Sequence, residues 1–342
     1  MKYYFTTLVL LLLISCKQEE KKKSFSSVSV DTIYEDSLSI RAIELIDNNL
    51  AFSANNGFVG NIDLNTGKVF STNIAYDSIF PEFRSIAHTS TDVFVLSVAN
   101  PALLYKTGEN GKFQLVYNEE AENVFYDAMT FWNDNEGIAV GDSMNGCLSI
   151  LITRDGGRTW QKQSCATVPK GIEGEGAFAA SNTNIKIIGD STWIATTNGR
   201  ILFSADKAKT WRVIQTPIIN AAQTQGIYSI DFYNEQIGFA IGGDYTKPEN
   251  SNQNKALTVD GGVTWQLVAD GQEPGYKSCV QFVPNSEGNG LVAIGFTGIS
   301  YSNDRGATWK KLSEEGFYTL RFKNDTIAYA AGKGRVAKLS FK

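Results

Sequence analysis

The chain has 342 residues, 42% of them hydrophobic and 12% aromatic, with a formal net charge of -5. That composition can build a large core, and the acidic balance excludes the basic face of a nucleic-acid binder. No polar low-complexity tract or block of like charge follows the first two dozen residues, so one folded unit is expected.

Lys2 precedes the apolar run LVLLLLI (Leu8 to Ile14), which ends at Ser15 and Cys16. A charged start, a short apolar stretch and a small residue before the cut make a secretory signal, and the run is shorter than the roughly 20 residues that span a bilayer. LISC resembles a bacterial lipobox, which implies that residues 1–15 are a lipoprotein signal peptide, that Cys16 carries the lipid, and that residues 16–25 are a hydrophilic tether. The expected destination is an extracytoplasmic membrane surface, periplasmic or at the cell exterior. A multiply acylated cysteine holds firmly there, at about 0.8 kcal/mol per buried methylene.

Next comes an isolated strand with period-2 alternation, SVSVDTI (Ser27 to Ile33). Seven units of one design follow, starting near residues 38, 82, 125, 175, 226, 275 and 316. In each, a first strand runs to a polar turn and a second apolar strand ends in small residues; the fourth, GAFAASNTNIKIIGDSTWIATTNG, has an extended turn. The last unit supplies only three strands before Lys342. If Ser27–Ile33 is its fourth, the ring closes and no sheet edge stays exposed. The expected fold is all-β, a single seven-bladed β-propeller over residues 26–342.

Four units contain a second pattern: ITRDGGRTW, FSADKAKTW, LTVDGGVTW and YSNDRGATW, with Asp155 and Trp160, Asp206 and Trp211, Asp260 and Trp265, Asp304 and Trp309. The aspartates are 51, 54 and 44 residues apart, a spacing of repeat arrays. Strand-like residues flank each copy, which makes it a hairpin turn. The carboxylate can accept backbone N–H bonds, glycine supplies positive φ, and tryptophan packs beside the next sheet. One acid per copy is too few for a calcium loop, and no His/Cys cluster forms a zinc site, so no metal is expected. His88 is the only histidine.

This S/T-x-D-x-G-x-T-W motif is the Asp-box, or BNR repeat, shared by sialidases, sortilin-type receptors and photosystem II assembly-factor propellers. The succession EFRSIA, FYDAMTFWNDNEGIAVGD, EGEGAFAASNT, GIYSIDFY, GGDYTKPEN and EPGYKSCVQFVPNS resembles a bacterial lipoprotein branch of the photosystem II assembly-factor-like propellers. Members of that branch are often labelled oxidoreductases. Here no G-x-G-x-x-G opens a helix and no C-x-x-C is present, so no redox cofactor is expected. What the resemblance implies is a secreted, monomeric propeller that binds or helps assemble something.

Cys147 and Cys165 flank the first Asp-box nearly symmetrically about Gly156, so the hairpin should set them opposite one another and a disulfide is expected in an oxidising compartment. Cys279 is left over, as a small buried thiol.

Inner strands should begin at the face opposite the Asp-box turns. Aligned strand starts put Arg41, Arg84, Asp127, Phe178, Tyr228, Lys277 and Tyr318 at the channel mouth, where a filled core would prefer aliphatic side chains. Loops on that face add Glu173, Glu175, Asp142, Asp244 and Tyr245. Both signs of charge with aromatics on one concave face suit a pocket for a protein or a small polar or anionic ligand, and a water-filled channel would also tolerate them. Glycoside hydrolysis of the sialidase type is the alternative. It needs an arginine cluster, a tyrosine nucleophile with a glutamate partner, and an acid. Arg41, Arg84, Tyr318, Glu175 and Asp127 have the right types. FRSI (Phe83–Ile86) resembles the FRIP motif without its proline. A third arginine is missing: Arg321 should face away from Tyr318, while Arg154, Arg158, Arg200, Arg212 and Arg305 should lie near the Asp-boxes, and only Arg335 sits in a suitable loop. A binding or assembly module is the first reading, because it needs no complete catalytic set.

Overall fold

A computed structural model describes residues 1, 24–108 and 111–342. Each repeat folds as a meander of antiparallel strands, because apolar residues alternate along it and its turns carry Gly, Asn and Asp. The result is a seven-bladed β-propeller. Both faces of a blade are apolar, so neighbouring blades share their cores: Phe94 and Leu96 of blade two pack with Tyr126 and Met129 of blade three, and Phe239 and Ile241 of blade five with Val280 and Phe282 of blade six. The leader, Cys16 and the tether up to residue 23 lie outside the described residues.

Ring closure follows the expected logic with one difference. The strand Val28–Ile46 is continuous over 19 residues. Its first half pairs with Lys333–Phe341, from Val28 opposite Phe341 to Ser39 opposite Lys333, as the outer strand of blade seven. Its second half pairs with Asn49–Ala54, from Ile40 opposite Ala54 to Ile46 opposite Asn49, as the inner strand of blade one. Irregularities between Thr32 and Tyr34 and between Glu35 and Ser39 carry it from the rim to the axis without a loop. Phe25 anchors the seam between Tyr301 at 4.7 Å and Phe341 at 5.0 Å.

All four Asp-boxes have the same bonding. Asp155 accepts Thr159 N at 3.0 Å, Thr159 Oγ1 at 2.7 Å and Thr153 Oγ1 at 2.9 Å. Asp206, Asp260 and Asp304 repeat the pattern with Thr210, Thr264 and Thr308. These carboxylates are therefore fasteners. In the second copy Lys207 and Ala208 hold φ of 56° and 65°, where the other copies have glycine at one position or both. L-residues pay roughly 1–2 kcal/mol each for that region. Lys207 offsets it by bonding Glu136 at 2.6 Å. The tryptophans pack toward the preceding blade: Trp160 meets Phe94 of blade two and Trp309 meets Phe239 of blade five.

The extended turn of blade four is the main departure from a water-filled channel. Its inner strand is only Ile185–Ile188, and the residues before it, Ser181 to Asn184, are buried on the axis. Asn182 donates to Ile86 O of blade two at 2.8 Å and accepts from Met129 N of blade three at 3.0 Å. Ser181 Oγ donates to Ser278 O of blade six, and Ser181 O accepts from Thr319 Oγ1 of blade seven. Thr183 Oγ1 bonds Ser229 Oγ of blade five. One short segment thus plugs the channel and ties five other blades to blade four.

Replacing Asn182 should expose how much rests on this plug. Its side chain satisfies a buried N–H and a buried C=O, each costing about 1–3 kcal/mol when orphaned. Its φ of 57° is one that glycine adopts freely. Asn182→Ala and Asn182→Gly should both lower Tm, at roughly 2–4 °C per kcal/mol lost. A glycine variant that melts with wild type in calorimetry would show that the amide bonds do not hold the ring.

Candidate functional site

Asp-box hairpins join third and fourth strands, so loops between second and third strands open on the opposite face. There, four inner strands carry one extra residue at the same level. Arg41 falls between the Ile40 and Ala42 pairings, Arg84 between Phe83 and Ser85, Asp127 between Tyr126 and Ala128, and Tyr228 between Ile227 and Ser229. A bulge re-aims the side chain it carries. In blade seven Tyr318 N bonds Ala331 O, the residue opposite Thr319, so Tyr318 continues the column.

Blade six departs from the aligned strand starts by one residue. Ser278 N bonds Ile294 O, opposite Cys279, and so takes the column position. Lys277 is turned into the blade edge, 2% exposed, donating to Thr297 Oγ1 at 2.9 Å and Gly298 O at 3.1 Å. Burial lowers its amine to about 8. Phe178 lies before its inner strand, stacked on Tyr228 at 3.6 Å.

Two arginines at the mouth differ in kind. Arg84 is paired with Glu82 at 2.7 Å. Arg41 lies 4.1 Å from the centre of the Tyr318 ring, and its Nε is buried without a hydrogen-bond partner. Among the described residues no carboxylate forms an ion pair with it. Burial and the charge of Arg84 lower its pKa, and Glu82, already paired with Arg84, offsets this only in part.

Acids gather on the other side of the mouth. A cleft of about 480 Å³ is lined by Arg84, Asp142, Glu173, Phe178, Thr197 and Asn220, among others. Behind it lies Asp127, fully buried, with no donor on either oxygen. Burial and the neighbouring Asp142 push its carboxyl well above the usual range, and burial raises Asp142 to about 6 although Ala177 N donates to it. The charge of Asp142 thus adds to burial in favouring the protonated form of Asp127. Glu173 is exposed in the cleft wall, whereas Glu175 is 1% exposed and grips Arg200 through Nε at 2.8 Å and through Nη2. Arg200 is therefore on the mouth face, not near the Asp-boxes: it begins a third strand, and the Asp-box lies at that strand's far end. Arg335 is also here, bound to Glu315 at 2.6 Å. Arg321 opens on the opposite face with Glu44 at 3.2 Å, beside the Lys186–Asp231 pair.

Asp244 is a loop cap. Buried, it is nevertheless held at about 2 because Thr246 donates through N at 2.9 Å and Oγ1 at 2.6 Å. Tyr245, next in the chain, is 48% exposed. Phe296, on the adjacent loop, is 45% exposed and was not singled out by sequence; one aromatic in a short loop carries no periodic signal. Cys147 and Cys165 are joined, with Cα atoms 5.5 Å apart, and Cys279 is a buried free thiol. No group of three or more potential metal ligands occurs among the described residues.

The Asp127–Asp142 pair gives a signed prediction. A carboxyl raised from its usual 3.8 toward 6 keeps its proton in the folded state after the unfolded chain has lost it. Stability is present below about pH 4 and is withdrawn as pH rises through 6. Asp142→Asn should raise Tm at pH 7.5, with the gain shrinking toward pH 5. A gain independent of pH in paired melts would contradict the raised carboxyl.

Residues 106–218, from the end of blade two through blade four, match the family described as photosynthesis system II assembly factor YCF48. Among solved structures, YCF48 bound to D1 peptide is similar with a TM-score of 0.65 and 13% identity, over 93% of this chain and 98% of that one. YCF48 from Cyanidioschyzon merolae gives a TM-score of 0.61 and 14% identity over 92% and 98%. The WD40 repeats of RRP9 give 0.64 and 11% over the same shares. No curated protein matches the chain. Together these similarities show an Asp-box propeller fold, with the family match confined to residues 106–218.

Proposed function

We propose that this propeller is a membrane-anchored, extracytoplasmic binding module that holds an acidic segment of a protein partner at the mouth opposite its Asp-boxes. One observation carries the reading: Arg41, a half-buried guanidinium on the Tyr318 ring whose buried Nε has no hydrogen-bond partner and which forms no ion pair among the described residues. Such a charge destabilises the free protein unless a ligand supplies the anion, and a guanidinium fork suits a carboxylate. The similarity to a propeller that binds a D1 peptide supports a protein partner and an assembly role. The leader ending in LISC supports lipidation at Cys16, and the Cys147–Cys165 bridge supports an oxidising compartment.

A sialidase-type site draws less support. Arg200 and Arg335 reach the mouth face but are each bound by a glutamate, and the one on Arg200 is Glu175, which that chemistry would need as the partner of Tyr318.

Arg41→Met should weaken partner capture at least tenfold, since hydrogen bonds to charged groups contribute roughly 1.5–3 kcal/mol. The same change should leave Tm unchanged or higher, because it removes a half-buried charge that has no ion-pair partner among the described residues. Quantitative co-purification of wild type and variant from the native membrane checks this. An identical set of captured proteins would overturn the assignment of the mouth.

A further inference from the structure

Beside Arg41, the mouth carries an aromatic arrangement that the core does not require. Tyr276 is 4% exposed and is touched by two largely exposed rings, Tyr245 at 6.5 Å and Phe296 at 5.3 Å between centroids. Below, Tyr276 meets Tyr228 edge-on at 4.8 Å, and Tyr228 stacks on Phe178. The floor is thus fixed by packing, while both sides stand in solvent. Exposed aromatics on rigid supports are the usual anchors of protein interfaces.

Each exposed ring is held out by a polar device beneath it. Lys277 fastens the loop after Phe296 through Thr297 Oγ1 and Gly298 O. Gly298 has φ of 113°, and a Cβ there would lie 2.3 Å from Ser313 O, so this turn admits only glycine. Asp244 fastens the Tyr245 loop through Thr246 and accepts Gln225 Nε2 at 3.3 Å. Lys277 and Asp244 are accordingly positioning residues under the rim.

We propose that Tyr245, Tyr276 and Phe296 form an aromatic slot that takes a ring side chain of an extended peptide whose nearby acidic residue lies on Arg41. This rests on the reading of the mouth as a protein-binding site. Two observations select a peptide over a glycan. Phe317 N donates to Gly295 O at 3.0 Å and Ser278 Oγ to Tyr318 O at 2.7 Å, which sets the Phe296 and Tyr276 segments beside the ring that carries Arg41, so slot and cation are neighbours and call for an apolar ring beside an anion. The carboxylate adjoining Tyr245, Asp244, has Oδ1 occupied by Thr246 of its own loop and Oδ2 by Gln225 of the inner strand, and is not offered to sugar hydroxyls.

The test uses blocked twelve-residue Gly/Ser peptides carrying one Glu and one Trp, one to four residues apart, with Glu-only and Trp-only controls, read by fluorescence anisotropy. At one spacing or more, the two-residue peptide should bind wild type at least tenfold more tightly than either control. Tyr245→Ala with Phe296→Ala should reduce it to the Glu-only level, and Arg41→Met to the Trp-only level. Both slot residues are exposed, and a melt of the double variant verifies folding. If Glu dependence through Arg41 persists while Trp adds nothing, the slot is wrong and the mouth assignment stands. If neither residue matters, both fall. Binding of a neutral oligosaccharide that is lost in the double slot variant would put a glycan there and overturn the peptide.

Discussion

A ring of seven blades leaves a hole along its axis, and everything exposed to that hole must be hydrated or hydrogen-bonded. Here blade four fills it. The side-chain amide of Asn182 reaches backbone groups of blades two and three, while Ser181 and Thr183 reach blades five, six and seven. The plug replaces an aqueous pore with two separate funnels, one on each face. It also fixes the blades relative to one another, which lets residues from different repeats act as one site.

On that support, the two funnels have different electrostatics. The Asp-box side is internally neutralised, with Glu44 on Arg321 and Asp231 on Lys186. The mouth side is charge-split: acids of blades three and four stand across from Arg41, and burial there favours the protonated forms of Asp127 and Asp142. Bulges at matching positions produce this arrangement, since each turns a residue that would otherwise pack between blades toward the axis. A half-buried cation retained without an ion-pair partner among the described residues is a local conflict of the kind found at functional sites.

Much of the architecture was legible because it repeats. Four Asp-boxes and seven apolar strand pairs define the blades, and the three-strand last unit with its leftover N-terminal strand announces the closure. Arg41, Arg84, Asp127 and Tyr228 were readable as a column because all four sit on the same bulge. The column position of blade six was read one residue early, at Lys277, because the blade places Ser278 at that level, and only the register of Cys279 opposite Ile294 reveals it. The plug was not readable: Ser181 to Thr183 are ordinary small polar residues whose partners come from five other blades. Arg200 was misplaced because closeness in sequence to Asp206 hides a full strand length between them. Phe296 gave no signal, since its role depends on Tyr276 and Tyr245 from other parts of the chain.

A genetically encoded photo-crosslinker, placed at Phe296 and separately at Val263 on an exposed Asp-box tip, tests the assignment of function to the mouth most directly. Irradiation in the native membrane should give a protein adduct from position 296 that disappears when Arg41 is Met, and none from position 263. An adduct of equal yield from the Asp-box tip, or one at 296 indifferent to Arg41, would contradict it.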